Sequence, residues 1–255
     1  MVTAVSHLYQ HDPCRVLFPR PALGDPPTAV LLMTSGGLAG GDRIEIELNV
    51  GADAAAVVTS QAAEKVYRSL GPATETSVTA AIAAGGWLEW LPQETILFDG
   101  ARLRRSSAFD VAPGGRLLAA DMFVFGRLAR GERFRRGSLI DRWCVRRDGK
   151  LRWIDACMLD GDLPGLFTDP TALGGAEALA TIVFAGDAAA DFLLTARDAI
   201  ADAGCRAGAT LVNGLLLARL LGPAAVVRTA TALAIGCLRE AAAGLPRRLP
   251  RVWYN

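Results

Sequence analysis

From Ile44 the chain alternates: Ile44, Ile46, Leu48 and Val50 are apolar, with Glu45, Glu47 and Asn49 between them. A period of two predicts a half-buried strand with one wet face. Gly51 turns the chain, and AAAVVTSQ (54–61) predicts a second strand. The same beat returns in AIAAGGWLEWL and DVAPGGRLLAA, so that the turn pairs Gly51-Ala52, Gly85-Gly86 and Gly114-Gly115 are spaced by 34 and 29 residues. Such recurrence suggests stacked supersecondary units, each needing its neighbours to bury an apolar face. Three ordinary β-hairpins in a sandwich would give the same local pattern. Further strands are predicted at ETILF, RLRRSSAFDV, MFVFG, SLIDRWCVRR and KLRWIDACML, with Asp148-Gly149 as a hairpin turn between the last two.

Residues 28–160 therefore read as strongly β, and 176–255 as mixed helix and strand. Helical spacing covers 187–203 and the segment AAVVRTATALAIGCLREAAAG, which has Pro223 near its start and Gly244 just past its end. Between these helices ATLVNGLLLARLLG fits strands returning to the sheet, and LPRRLPRVWYN reads as an extended tail whose aromatics dock. The Gly/Pro-rich stretches 19–27 and 161–175 are expected to be loops. No linker interrupts the chain, so residues 1–255 are expected to form one domain.

Composition narrows the function classes. Hydrophobic residues make up 51% and the net charge is +1, which excludes disorder and gives no electrostatic reason to bind nucleic acid or a membrane surface. No apolar run is long enough to predict a transmembrane helix. His7, His11, Asp12, Pro13 and Arg15 stand where a signal peptide would carry its apolar core, so a cytoplasmic location is expected. Cys14, Cys144, Cys157, Cys205 and Cys237 are scattered, and are expected to be reduced thiols, mostly buried.

The glycine-rich stretch TSGGLAGGD (34–42) invites a phosphate-loop reading, but Asp42 follows its last glycine and a strand, not a helix, follows Asp42. Close backbone crossing is the better account of its glycines. A serine or cysteine nucleophile would have no base except His7 and His11. With Cys14 these histidines form an H-x3-H-x2-C run of metal-ligand character, which Pro13 interrupts. Carboxylates at strand ends remain: Asp42, Glu64, Glu89, Glu94, Asp99, Asp121 and Glu132. Asp121 lies inside the apolar run RLLAADMFVFG, where an ionised carboxylate needs a partner; Lys65, Arg68, Arg127 and Arg130 are the candidates.

GGLAGGD (36–42), TSQAAEKVYRS (59–69), LEWLPQETILFDGA (88–101), FGRLARGERF (125–134) and LPRVWYN (249–255) occur in the order seen in the UreD (UreH) family of urease accessory proteins. The chain resembles that family from about residue 30 to its C-terminus. Two departures stand out: the segment before the glycine loop matches poorly, and MTSGGLAGGD lacks the proline that family members commonly carry before the first glycines. The resemblance implies a mainly β fold, a β-helix-like stack of strands with two α-helices in the C-terminal third. It implies no catalysis, but a scaffold or chaperone that binds the urease apoprotein and the F-type accessory protein, and through the latter the G-type GTPase, during nickel insertion. No stably bound cofactor is implied; nickel would be in transit along a water-filled internal route.

Carried onto this chain, the route would be lined by Asp42 and Asp121 with Lys65 balancing their charge, and by Glu64 and Glu89 as further candidates. Gly36, Gly37, Gly40, Gly41, Tyr67, Arg68, Trp90, Gln93, Arg127 and Glu132 would serve structure or partner binding. The competing class is a β-helical carbohydrate lyase or hydrolase using Asp42, Glu94 or Asp121. It would need an aromatic-lined groove, and alternation sends Trp87 and Trp90 to opposite strand faces.

Overall fold

A computed structural model describes residues 3–254; Asn255, which ends the closing motif, lies outside that range. The strands are β1 (Cys14–Leu17), β2 (Thr28–Met33), β3 (Arg43–Val50), β4 (Ala55–Ser60), β5 (Glu64–Val66), β6 (Thr74–Ile82), β7 (Trp87–Leu91), β8 (Thr95–Leu97), β9 (Arg102–Val111), β10 (Arg116–Phe125), β11 (Ser138–Arg147), β12 (Lys150–Leu159), β13 (Ala178–Ala185), β14 (Arg206–Val212) and β15 (Leu215–Gly222). The helices are α1 (Leu163–Thr168), α2 (Leu193–Ile200) and α3 (Ala224–Ala243).

Two sheets face one another. The first runs β1-β2-β4-β7-β10-β13-β15-β14, with β5 and β8 attached to it through β10; the second runs β12-β11-β9-β6-β3. Within the first, β2, β4, β7 and β10 are parallel neighbours. Within the second, β3, β6, β9 and β11 are parallel neighbours. The chain therefore alternates between sheets and winds through about three turns of a β-solenoid.

The three glycine turns join strands of different sheets, which rules out the hairpin alternative. They stack instead: the amide of Ala83 donates to Val50 O and that of Ala112 to Ile82 O, each at 2.9 Å. The glycine loop 36–42 behaves as a crossing. Leu38 bridges Val66, its amide donating to Lys65 O at 2.7 Å. A side chain at Gly37 would begin 2.7 Å from that same carbonyl, and one at Gly40 would lie 2.7 Å from Pro72 O.

Alternation along the strands divides the core. On the outer face of the first sheet Trp87, Leu118, Ile182 and Leu220 pack against Val227, Ile235 and Leu238 of α3. Between the sheets, Leu88, Leu117, Phe109 and Trp143 fill one end, and Leu97, Phe123, Phe125 and Leu139 fill the other. Helix α3 begins after Pro223 and ends at Gly244, which adopts φ 63°. No helix among the described residues is long and apolar enough to cross a membrane.

The structure departs from the sequence expectations in several places. The stretch 161–175 contains α1, whose first turn is capped by Asp162 accepting from the Gly165 amide at 3.2 Å. Only 193–200 of the predicted 187–203 helix is α-helical, with a 3₁₀ turn at 189–192 leading into it. Strand β13, apolar except for Thr181 because both its faces are covered, offers no alternation to read. Four of the five cysteines are half-buried and only Cys237 is buried; all are free thiols.

The stacking generates a stability contrast. A Cβ at Gly115 would sit 2.9 Å from Ala83 O and 3.0 Å from Ala112 O, whereas one at Gly51 meets nothing within 4 Å. Overpacking against fixed backbone costs about 1–3 kcal/mol. Gly115→Ala is expected to lower the thermal midpoint by roughly 2–10 °C, and Gly51→Ala to leave it nearly unchanged; differential scanning fluorimetry reads both.

Candidate functional site

The inward face of β10 carries Leu117, Ala119, Asp121, Phe123 and Phe125, so Asp121 falls between the two apolar ends of the inter-sheet core. Opposite it, one row across the second sheet reads Ile44, Thr76, Arg105, Asp141. Parallel pairing holds that row in register, and it places Arg105 between two carboxylates. Arg105 Nη1 lies 2.7 Å from Asp121 Oδ1, and its Nε lies 2.8 Å from Asp141 Oδ1. Asp141 Oδ2 also accepts from Trp143 Nε1 at 3.1 Å, and Asp121 Oδ1 accepts from the Met122 amide at 2.9 Å. The guanidinium stands 4.0 Å above the Phe123 ring. All three charged residues are buried, at 6%, 8% and 5% exposure for Asp121, Arg105 and Asp141.

Beside this triad the sheets enclose a cavity of about 300 Å³. Its walls include Trp90, Asp121, Arg105 and Thr76 in the interior, and Glu64 and Lys65 at the sheet edge; Gly36 and Gly37 of the crossing loop cover part of it. Exposed Gln61 and Lys65 belong to the same lining, so the space reaches solvent. Arg105 Nη2, Trp90 Nε1 and Thr76 Oγ1 have no hydrogen-bond partner within the chain. Buried polar atoms left open in this way make the cavity a place for water or a small polar species.

Burial pushes the Asp121 carboxyl up from 3.8 to about 6; Asp141 adds to the rise, and the Arg105 guanidinium opposes it. Burial works against the charge on Arg105, but Asp121 and Asp141 outweigh it and hold its pKa above the ordinary range. Burial also raises the Glu64 carboxyl, against the pull of the Lys65 amide and ammonium.

Of the residues expected to line a route, Asp121, Glu64 and Lys65 meet at this cavity and two do not. Asp42 is exposed and outside the lining; its Oδ2 accepts from the Ala39 amide at 2.8 Å, closing its own loop. Glu89 is buried but points to the helix side of β7, where Arg239 Nε lies 2.9 and 2.8 Å from its two oxygens and Trp87 Nε1 donates at 3.0 Å. None of Lys65, Arg68, Arg127 or Arg130 pairs with Asp121. Arg105 does; it lies outside the family motifs, and strand register, not proximity in sequence, brings it there.

The remaining motif residues are structural in their contacts. Tyr67 donates to Gly36 O and packs edge-on against Phe98 at 5.1 Å. Arg127 pairs with Glu132, whose Oε1 accepts from the Asp99 amide at 3.1 Å. Arg68 is exposed, its backbone bridged to Ala101. Gln93 Nε2 donates to Val252 O at 2.7 Å, and Trp253 Nε1 to Leu91 O at 3.2 Å, so the closing motif docks on the first sheet. His7 and His11 are exposed, and no group of three potential ligands comes together among the described residues. Trp87 and Trp90 do lie on opposite faces, one packed near Phe184 and the other lining the cavity. The three carboxylates of the lyase or hydrolase alternative are also dispersed: Asp42 on the surface, Glu94 paired with Arg228, Asp121 inside.

The fold is a short β-solenoid backed by helices, with a solvent-connected space between its sheets. The family model described as UreD urease accessory protein matches residues 1–254. A protein from Magnetococcus marinus named urease accessory protein UreD is 44% identical over 252 residues, covering 96% of this chain and 87% of its own. Proteins of the same name from Rhodopseudomonas palustris and Granulibacter bethesdensis are 41% and 42% identical, covering 100% and 94% of this chain and 88% and 100% of theirs. The chain belongs to the UreD family of urease accessory proteins, and the match includes the N-terminal segment where the motif resemblance faded.

The triad has a pH signature. Because the Asp121 carboxyl titrates higher in the folded chain than in the unfolded one, the folded state holds its proton more tightly. The stability this confers is present at low pH and is lost as pH rises from about 4 through about 6. The Asp121→Asn variant cannot titrate there. Its urea-unfolding free energy, taken relative to wild type, is expected to rise across that window by up to about 1.4 kcal/mol per pH unit and to level off above it.

Proposed function

We propose that this chain is a non-catalytic maturation factor for urease, acting in the cytoplasm. It binds the urease apoprotein and the F-type accessory protein, the latter recruiting the G-type GTPase, and nickel on its way to urease passes through the space between the sheets. Membership of the UreD family supports the role in maturation. The observation that supports passage is the solvent-connected cavity with the carboxylates of Glu64 and Asp121 in its wall. Carboxylates are hard oxygen donors that hold nickel more weakly than imidazole or thiolate would, which suits an ion that must leave again.

The test is co-expression with urease subunits and the other accessory proteins in nickel medium. Asp121→Ala or Asp121→Asn is expected to lower urease activity and nickel content severalfold while the chain still co-purifies with its partners. Full activation by these variants, or unchanged nickel loading when the chain is omitted, would contradict the proposal.

A further inference from the structure

Among the described residues Arg105 is the only cation paired with Asp121, and it is arranged unlike an ordinary structural ion pair. One guanidinium serves two carboxylates, through Nη1 at 2.7 Å and Nε at 2.8 Å. Its remaining nitrogen, Nη2, is buried and unpartnered, and Arg105 and Asp121 both line the cavity. A guanidinium does not give up its proton in a protein, so its positive charge stays as long as the side chain stays. The pair Asp121 and Asp141 is thus a two-carboxylate cation site already filled from within, and its Asp121 side borders a space large enough for water and a small ion.

We infer that Arg105 is a tethered competitor for a divalent cation: it occupies the Asp121–Asp141 carboxylates, and an arriving nickel ion must displace it from Asp121. The ion gains carboxylate oxygens as the guanidinium, whose Nη2 has no partner to hold it, withdraws from Asp121. Return of the guanidinium to Asp121 expels the ion. Residence is then brief in either direction, and no metal accumulates although two buried carboxylates are present. This inference rests on the passage of nickel proposed above, but its first readout requires neither urease nor the other accessory proteins.

Equilibrium dialysis of the purified full chain against nickel at pH 7.5, with circular dichroism as the check on folding, tests it. The wild-type chain is expected to retain nickel weakly. Arg105→Gln removes the competing charge and keeps a polar side chain, and is expected to bind nickel at least tenfold more tightly. Adding Asp121→Asn to that variant is expected to reverse the gain. Should Arg105→Gln not fold, Arg105→Lys carries the test: its ammonium reaches one carboxylate in place of two, and a gain of about threefold is expected. A folded variant that holds no more nickel than wild type, or a gain that survives Asp121→Asn, would overturn the inference. If the gain appears while Asp121→Asn alone leaves urease activation intact, the carboxylate pair is a cation site but the proposed passage is wrong.

Discussion

The guanidinium of Arg105, held between Asp121 and Asp141 in the gap between two sheets, is the interaction on which the interior depends. All three partners are buried, and removing Arg105 would leave both carboxylates without their counter-charge, at a cost of about 3–5 kcal/mol. Apolar residues of similar volume would close the gap and join the two apolar ends of the inter-sheet core into one. The polar triad prevents that closure, and a cavity lies beside it. The solenoid makes the arrangement possible, because parallel strands in one register put Thr76, Arg105 and Asp141 in a single row facing Asp121.

A second buried pair works differently. Glu89 and Arg239 meet on the helix side of the first sheet, and Arg239 also contacts Asp25 at 3.2 Å and donates to Pro246 O at 2.8 Å. These bonds fasten α3, the loop before β2 and the C-terminal segment to the back of the solenoid. Gln93 and Trp253 add the last residues of the chain to the same fastening. Neither residue belongs to the lining of the inter-sheet cavity, which separates the pair's structural part from that of the Asp121 triad. Burial raises the Glu89 carboxyl, while Arg239 and Trp87 oppose the rise.

Much of this was legible in the sequence because the physics is local. Period-two alternation from Ile44 to Val50 marks a strand, the Gly turn pairs mark each winding, and Pro223 and Gly244 bracket α3. Asp121 stood out because a carboxylate in an apolar run must be paired. Its partner did not, since Arg105 alternates with exposed Arg104 and Ser106 and resembles any strand arginine until its register with Asp141 is known. Asp42 misled for the opposite reason: its place at the end of a glycine loop suggests a site, and its carboxylate is spent on that loop's own Ala39 amide. Glu89 and Glu64 show the limit of strand parity, which separates the two faces of a strand without saying which face meets a cavity.

Filling the cavity tests the central claim most directly, because it leaves every charge in place. Val78 is buried in the cavity wall, and Val78→Phe occupies the space without touching the triad's hydrogen bonds. The deciding measurement is nickel per urease active site after activation with this variant, with complex formation followed by co-purification. An intact complex that delivers several times less nickel is expected. A filled cavity with normal nickel loading would contradict it.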